Sequence, residues 1–392
     1  MKIIYLANAR IPTEKAHGYQ ICKMCEEFAS GGAEVSLWVP SRHNDIKDDI
    51  FTYYEIKNNF TVKKLLIYNF FIVGKLSGRL EFWLRNYSFF VNLLFKKIPK
   101  DTIIYTRTPE IALIFGLKGN FVVLESHSWP KYAGWLHSFF IRRAGAIVAV
   151  TRFLKEKFEK SGFNSNKILV APDGVDLERF VLNISKAEAC TKLNLPLDKK
   201  LIGYTGSFKT MEMDKGISTI LDGLKIILQQ DNNVLFVAVG GKDADIKYYE
   251  RQAENLGVKS NVIFIKKVPI GELAIYQKAF DIILMPFPDN EHYRYYMSPL
   301  KMFEYMASGR PIIASDLPSI REILNENNAV FIKPQDPEGF ALMAQKILID
   351  PGFYDKISKR AFQDAQVYDW SQRAKNIVSF IVNRKKLESF LI

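Results

Sequence analysis

The strongest constraint on this chain is a rhythm. Short apolar runs rich in Val, Ile and Leu recur at residues 2–8, 34–40, 102–107, 121–126, 146–151 and 168–172. A second series follows at 201–205, 234–240, 262–266, 281–286, 311–315 and 329–332. Helix-length segments separate the runs. Strands that are apolar on both sides and alternate with helices belong to parallel sheets covered on both faces. The stretch 182–200 carries no strong strand pattern and separates the two series. The expected fold is therefore α/β, with two doubly wound domains at 1–180 and 181–370. The apolar spacing of Ala374, Ile377, Val378 and Ile381 predicts a last helix that crosses back, so that 371–392 rejoin the first domain. Ligands of such sheets bind beyond the carboxyl ends of the strands, where helix N-termini present free N–H groups. The expectation is two such ends facing a cleft.

At 392 residues, 48% hydrophobic and 24% charged, the chain has ample material for two cores. The longest uncharged apolar run, 65–74, is broken by Asn69 and is too short to span a bilayer. The opening Met-Lys-Ile-Ile-Tyr-Leu-Ala-Asn-Ala imitates a leader, but its apolar stretch reads as a first strand. Cys22, Cys25 and Cys190 form no even disulfide set, and the one Cys-x-x-Cys has no second pair to complete a zinc site. A reducing cytoplasm is the expected location.

The net charge is +12, and its placement is informative. Residues 59–100 carry eight basic side chains against one acidic, interleaved with ten aromatics. An anionic membrane surface is the expected partner of that block, with a core helix pair bearing a basic outer face as the alternative. Nucleic acid is not expected, because no nucleic-acid-binding signature accompanies the charge.

The most informative stretch is 296–316. Ser298 reads as an N-cap, Pro299 as the first helical residue, and Gly309-Arg310-Pro311 as the stop. Lys301 then lies in the first turn, where a cation opposes the helix dipole by about 0.3–1 kcal/mol. An anion resting on that N-terminus reverses the sign. Phosphate is the natural candidate, and Glu304, one turn on, can accept hydrogen bonds from a sugar diol. The plainer reading is a solvated Lys301 paired with Glu304.

The sequence Ser298-Pro-Leu-Lys-x-Phe-Glu-Tyr-Met-Ala-x-Gly-x-Pro-Ile-Ile-Ala-Ser-Asp316 resembles the donor-site signature of the family 4 retaining glycosyltransferases, which have the GT-B fold. Residues 171–180, Ala-Pro-Asp-Gly-Val-Asp-Leu-Glu-Arg-Phe, resemble that family's interdomain motif, with Asp173 for Asn. Gly203-Tyr-Thr-Gly206-Ser207, with Lys215-Gly216 following, resembles its phosphate loop. The resemblance implies a nucleoside diphosphate sugar as donor. Glu304 would bind the ribose, the segment Ser298, Pro299, Leu300 and Lys301 the diphosphate through the backbone N–H groups near Pro299–Lys301, and Lys215 the departing phosphate. It further implies attack by the acceptor hydroxyl on the face that the diphosphate leaves, with a leaving phosphate oxygen taking the proton.

Two departures from that pattern stand out. Tyr296 occupies the place of an earlier glutamate, and Ser207 that of an arginine. Lys209, Arg294 or nothing could compensate for the second. No Asp-x-Asp flanks the expected phosphate site, since Asp243-Ala-Asp245 lies elsewhere, so no metal and no bound cofactor are expected.

In the first domain, Gly18 follows a long loop after strand one, and close approach of its backbone to an anion adds it to the donor set. His127 follows a strand and matches a histidine that lies near the donor sugar in relatives; a structural histidine is the alternative. Glu125 reads as an acid/base or supporting group, and Arg107 as a contact to an anionic acceptor, which puts both on the acceptor side. The expected catalytic set is Lys215, His127 and Glu304. The expected acceptor is a glycan or a lipid-linked glycan in cell-surface polysaccharide synthesis. A non-catalytic nucleotide-sugar-binding subunit and another GT-B enzyme, a phosphorylase or epimerase, are the competing readings. A dinucleotide dehydrogenase is disfavoured, because no Gly-x-Gly-x-x-Gly follows any predicted strand.

Overall fold

A computed structural model describes residues 1–67, 87–130, 134–210 and 213–389. Its internal packing divides the chain into two compact units, 1–172 together with 370–392, and 173–369.

Unit 1 is built on one sheet of seven parallel strands in the order β3-β2-β1-β4-β5-β6-β7. These are β1 (Lys2–Leu6), β2 (Glu34–Pro40), β3 (Thr61–Leu65), β4 (Ile103–Thr106), β5 (Val122–Ser126), β6 (Ala146–Ala149) and β7 (Ile168–Val170). Every residue of β4, β5 and β6 is buried, which is why these runs show no polar alternation. The helix Ala16–Ser30 packs against the helix Trp370–Ser389, so the last helix belongs to unit 1. The strand not foreseen from sequence is β3. Its Thr-Val-Lys-Lys-Leu is exposed and charged because it forms the sheet edge, where lysines discourage further pairing.

Unit 2 holds six parallel strands in the order β12-β11-β8-β13-β14-β15. They are β8 (Lys200–Thr205), β11 (Val234–Gly241), β12 (Val262–Lys266), β13 (Ile282–Met285), β14 (Ile312–Ser315) and β15 (Val330–Ile332). A two-stranded hairpin, β9 (Lys209–Thr210) with β10 (Met213–Asp214), projects between β8 and the next helix. Successive residues of β11 feed opposite cores. Leu235, Val237 and Val239 enter one cluster, and Val234, Phe236 and Ala238 the other. Burying each of these Val, Leu and Phe side chains stabilises by roughly 1.5–3 kcal/mol.

In both sheets the strand order reverses once, at β1/β4 and at β8/β13. Such reversal points open a crevice at the carboxyl ends of the strands. The loops after β8 and β13 are therefore the places where unit 2 can hold a ligand.

The seam falls at 172/173, ahead of the expected 180/181. Val175 donates its N–H to the Tyr368 carbonyl at 2.9 Å, and Phe180 is buried in the unit 2 core. These contacts draw residues 173–180 out of unit 1. Among the described residues no helix is long and apolar enough to cross a membrane. Of the basic aromatic block, residues 68–86 lie outside the described part of the chain. In the remainder Phe60 and Phe89 are core residues, while Tyr87 and Phe95 are exposed.

Candidate active site

At the end of β8 the chain turns through Gly206, whose φ of +122° lies where side-chain-bearing residues are strained. A Cβ there would sit 3.1 Å from the Lys301 Nζ, so glycine also makes room for that ammonium. Lys215, which follows β10, donates from Nζ to the Ser207 Oγ at 2.9 Å. Ser207, which departs from the expected arginine, is thus the hydroxyl that steadies Lys215.

Lys301 departs from the solvated reading. Its Nζ is buried and has no hydrogen-bond partner among the described residues. It sits 3.7 Å from the Tyr204 ring centroid, 5.5 Å from that of Phe287 and 6.0 Å from that of Tyr305. Burial, reinforced by the Lys215 charge, pulls the Lys301 pKa well below the usual lysine range, opposed by Glu304. Burial lowers Lys215 to about 8. Burial also raises Glu304 to about 7, against a 3.4 Å hydrogen bond from Gln277 Nε2 and the charges of Lys301 and Arg179. Gln277 in turn donates to the Thr205 Oγ1 at 3.2 Å, and the Tyr305 hydroxyl accepts from the Thr205 N–H at 2.9 Å.

The helix Leu300–Ser308 begins one residue later than expected. Pro299 occupies the N-cap position, with no side chain satisfying the first N–H groups. Ser298 does not cap. Its Oγ accepts instead from the Asp173 N–H at 2.9 Å. Pro299 itself takes extended backbone, at ψ 130°, so the helix starts after it and the Ser298 hydroxyl is left to serve Asp173. The outcome is an uncapped N-terminus beside two lysines with weakened hold on their protons. Such a constellation suits a diphosphate dianion.

Other expected residues lie apart from this group. Lys209 Nζ stacks 4.0 Å from the Tyr248 ring centroid, held there by the β9–β10 hairpin. Arg294 pairs with Asp289 at 3.1 Å. Tyr296 donates its hydroxyl to Glu291 at 3.4 Å. Asp243 pairs with Lys266 at 2.7 Å at the start of its own helix. Asp214, not foreseen, caps the helix Ile217–Leu228 by accepting from the N–H groups of Gly216, Ile217 and Ser218 at 2.8, 2.8 and 3.0 Å. That N-terminus is already taken by the protein's own carboxylate.

In unit 1 two expectations change. Gly18 lies inside the helix Ala16–Ser30, and a Cβ there would meet the Tyr54 hydroxyl at 2.1 Å and Thr13 Cγ2 at 2.5 Å. Its smallness therefore serves internal packing, with Tyr54 Oη bridging the Thr13 N–H at 2.7 Å and the Thr13 carbonyl at 2.9 Å. Glu125 does not stand open for an acceptor, while the Arg107 side chain stays partly exposed. Glu125 is 0% exposed, and both engage one another in a network that includes His127. The neighbouring His17 is lowered to about 4 by burial and by the charges of Arg107, Lys15 and His127.

Residues 18–179 match the model of "Glycosyltransferase Family 4", and residues 185–364 that of "Glycosyl transferases group 1". The chain belongs to the family 4 type of GT-B glycosyltransferases.

The chain is 28% identical over 240 residues to an uncharacterised glycosyltransferase of Methanocaldococcus jannaschii, covering 59% of this chain and 58% of that protein. It is 26% identical over 273 residues to a D-inositol 3-phosphate glycosyltransferase of Corynebacterium urealyticum, covering 67% of this chain and 62% of the relative. The chain thus spans about three fifths of the length of the curated relatives it matches. Among solved structures, sucrose-phosphate synthase from Thermosynechococcus elongatus superposes with a TM-score of 0.75 at 18% identity, over 99% of this chain and 100% of that one. Anabaena HepE in complex with UDP-glucose gives 0.71 at 17% identity, over 98% and 100%.

Proposed function

We propose that this protein transfers a hexose-type sugar from a nucleoside diphosphate donor to a glycan or lipid-linked acceptor, with retention of configuration and without a metal. The observation that carries the reading is the meeting of Lys215, Lys301, Glu304 and the uncapped Leu300–Ser308 helix at the carboxyl end of the unit 2 sheet. HepE, of like fold, has been solved with UDP and with UDP-glucose, which supports a nucleotide sugar as the ligand class. In the reaction the bond from the anomeric carbon to the phosphate oxygen breaks, and a bond to the acceptor oxygen forms on the same face. The acceptor proton passes to the departing phosphate oxygen. Charge grows on the diphosphate as it leaves, and the two ammonium groups stabilise it.

Diphosphate binding restores protons to the two lysines, so affinity should weaken above about pH 8, where Lys215 has lost its proton. Below about pH 7 Glu304 is protonated and loses acceptor capacity toward the ribose hydroxyls. Calorimetric titration with uridine, guanosine and adenosine diphosphate sugars is expected to show tight binding to one base, with an optimum between these two values and net proton uptake on its alkaline side. Absence of binding to all three removes the reading.

The acceptor side draws on unit 1. Phe95 is 79% exposed and Trp135 76%, with Phe139 one turn beyond Trp135. Exposed Lys97, Lys100, Arg142 and Arg143 accompany them. Lys118 Nζ binds the carbonyls of Leu93, Leu94 and Lys96 at 3.0, 2.8 and 2.7 Å, which ties this segment to the helix Pro109–Leu117. The helix Gly134–Ile141 packs on that same helix. Exposed aromatics ringed by cations suit the inner face of an anionic membrane, at about 1 kcal/mol per basic residue near the surface. Co-flotation with anionic vesicles at low salt is expected, with clear loss in a Phe95→Ser/Trp135→Ser double variant. Equal flotation of both proteins would reject this surface.

A further inference from the structure

Four side chains from three elements of unit 1 converge on one carboxylate. The Oε1 of Glu125 accepts from Arg107 Nη2 at 2.6 Å and from His127 Nε2 at 2.6 Å. Its Oε2 accepts from the Tyr105 hydroxyl and from Arg373 Nη1 at 3.4 Å. Arg373 reaches this point from the helix Trp370–Ser389. Its Nε and Nη2 also bind the carbonyls of Pro172 and Ala171 at 2.7 and 3.1 Å, and its Nη1 lies 3.0 Å from Met24 Sδ. One guanidinium thus braces both the carboxylate and the segment by which the chain leaves unit 1. Arg107 is steadied in turn by Gln20 Oε1 at 2.9 Å from its Nη1.

Burial alone would raise the Glu125 pKa. The Arg107 and Arg373 guanidiniums and the His127 hydrogen bond outweigh it and hold the carboxyl well below its usual range. An ionised carboxylate accepts and never donates. The ring nitrogen facing it must therefore carry the hydrogen, which makes Nδ1 the acceptor nitrogen of a neutral His127. Nothing in the sequence pairs Glu125 with Arg373, which lies 248 positions away.

We infer that Glu125 is the positioning residue for His127, fixing its Nε2–H tautomer and ring orientation, while Arg107 and Arg373 serve that carboxylate rather than an acceptor. The inference rests on the reading under which His127 works beside the donor sugar. Glu125 itself touches no substrate. It acts through the imidazole, as a buried carboxylate does wherever a histidine must present one chosen nitrogen.

A double-mutant cycle tests it. Glu125→Gln keeps the shape but offers either an amide NH2 or a carbonyl to the ring, so the tautomer is no longer enforced. Turnover is expected to fall at least about tenfold, with donor KM changed less than about twofold. In a His127→Ala background the same substitution is expected to cost nothing further. A further tenfold loss in that background would overturn the inference, because Glu125 would then act by another route.

Glu125→Gln leaves two buried guanidiniums short of their counter-charge, and the variant can fail to fold for that reason. A second measurement on the wild-type chain stands independently. Nitrogen-15 spectra of the five histidines, with His127 assigned by its own substitution, are expected to show a protonated Nε2 and a bare Nδ1 in the neutral ring. The opposite tautomer overturns the inference. A His127→Ala variant with unchanged turnover, alongside the expected tautomer, would instead remove His127 from the reaction and leave the Glu125 contact standing.

Discussion

Alanine at Lys215 or at Glu304 is expected to reduce sugar transfer by about 10²–10³-fold each, with the melting transition preserved. Lys215 is held by a single hydrogen bond to Ser207 and carries no counter-ion among the described residues. Its loss removes little from the resting fold. In the reaction it faces a departing diphosphate, where one preorganised donor contributes about 2.7–4 kcal/mol. Glu304 acts earlier. It is half-buried, among the described residues accepts only a 3.4 Å hydrogen bond from Gln277, and so keeps acceptor capacity for a sugar diol. Removing it should raise the donor KM most strongly, whereas removing Lys215 should depress kcat. Steady-state transfer assays with the preferred nucleotide sugar, paired with thermal melting, separate the two. Near-normal transfer in both variants would dissolve the site.

The second large effect has opposite signs in the empty and loaded protein. Lys301→Met should stabilise the empty protein by about 1–2 kcal/mol, or about 2–8 °C for a domain of this size, while donor binding is lost. The ammonium is buried against three aromatic rings with no hydrogen-bond partner among the described residues. A methionine fills the same volume without that penalty. The pH dependence fixes the cause. Lys301 has a folded pKa well below its unfolded one, so the unfolded chain binds more protons across that interval and stability rises with pH through it. The penalty is fully present below the folded pKa and vanishes above the unfolded value near 10.4. The gain from methionine should therefore be largest near neutral pH and shrink toward pH 10. A gain that is the same at both would indicate better packing rather than relief of a buried charge.

Much of this was legible in the sequence. All strands but β3 and the small β9–β10 hairpin announce themselves as apolar runs, because both faces of each sheet are covered. The edge strand escaped notice because its lysines face outward. In unit 2 the motif residues Gly206, Ser207, Lys215, Lys301 and Glu304 are local in sequence or tied to strand ends, and they gather as expected. The supporting shell did not show. Tyr204, Gln277 and Tyr305 look like ordinary core residues, and only their contacts with Lys301, Glu304 and Thr205 reveal their use. Ser298 misled because its side chain can cap a helix in isolation, whereas here it accepts from the Asp173 N–H, 125 positions away. The network around Arg107 and Glu125 was hidden for a different reason. A charged residue at a strand end reads as open to ligand until a partner from the distant helix Trp370–Ser389 closes over it.

That distant partner bears on how the polypeptide is made. Residues 173–369 are continuous and can fold as soon as they emerge from the ribosome. Unit 1, although synthesised first, lacks Arg373 until translation has passed the helix Trp370–Ser389. The later half should therefore reach its native state before the earlier one, with the nascent Glu125 waiting under-compensated until the last segment arrives.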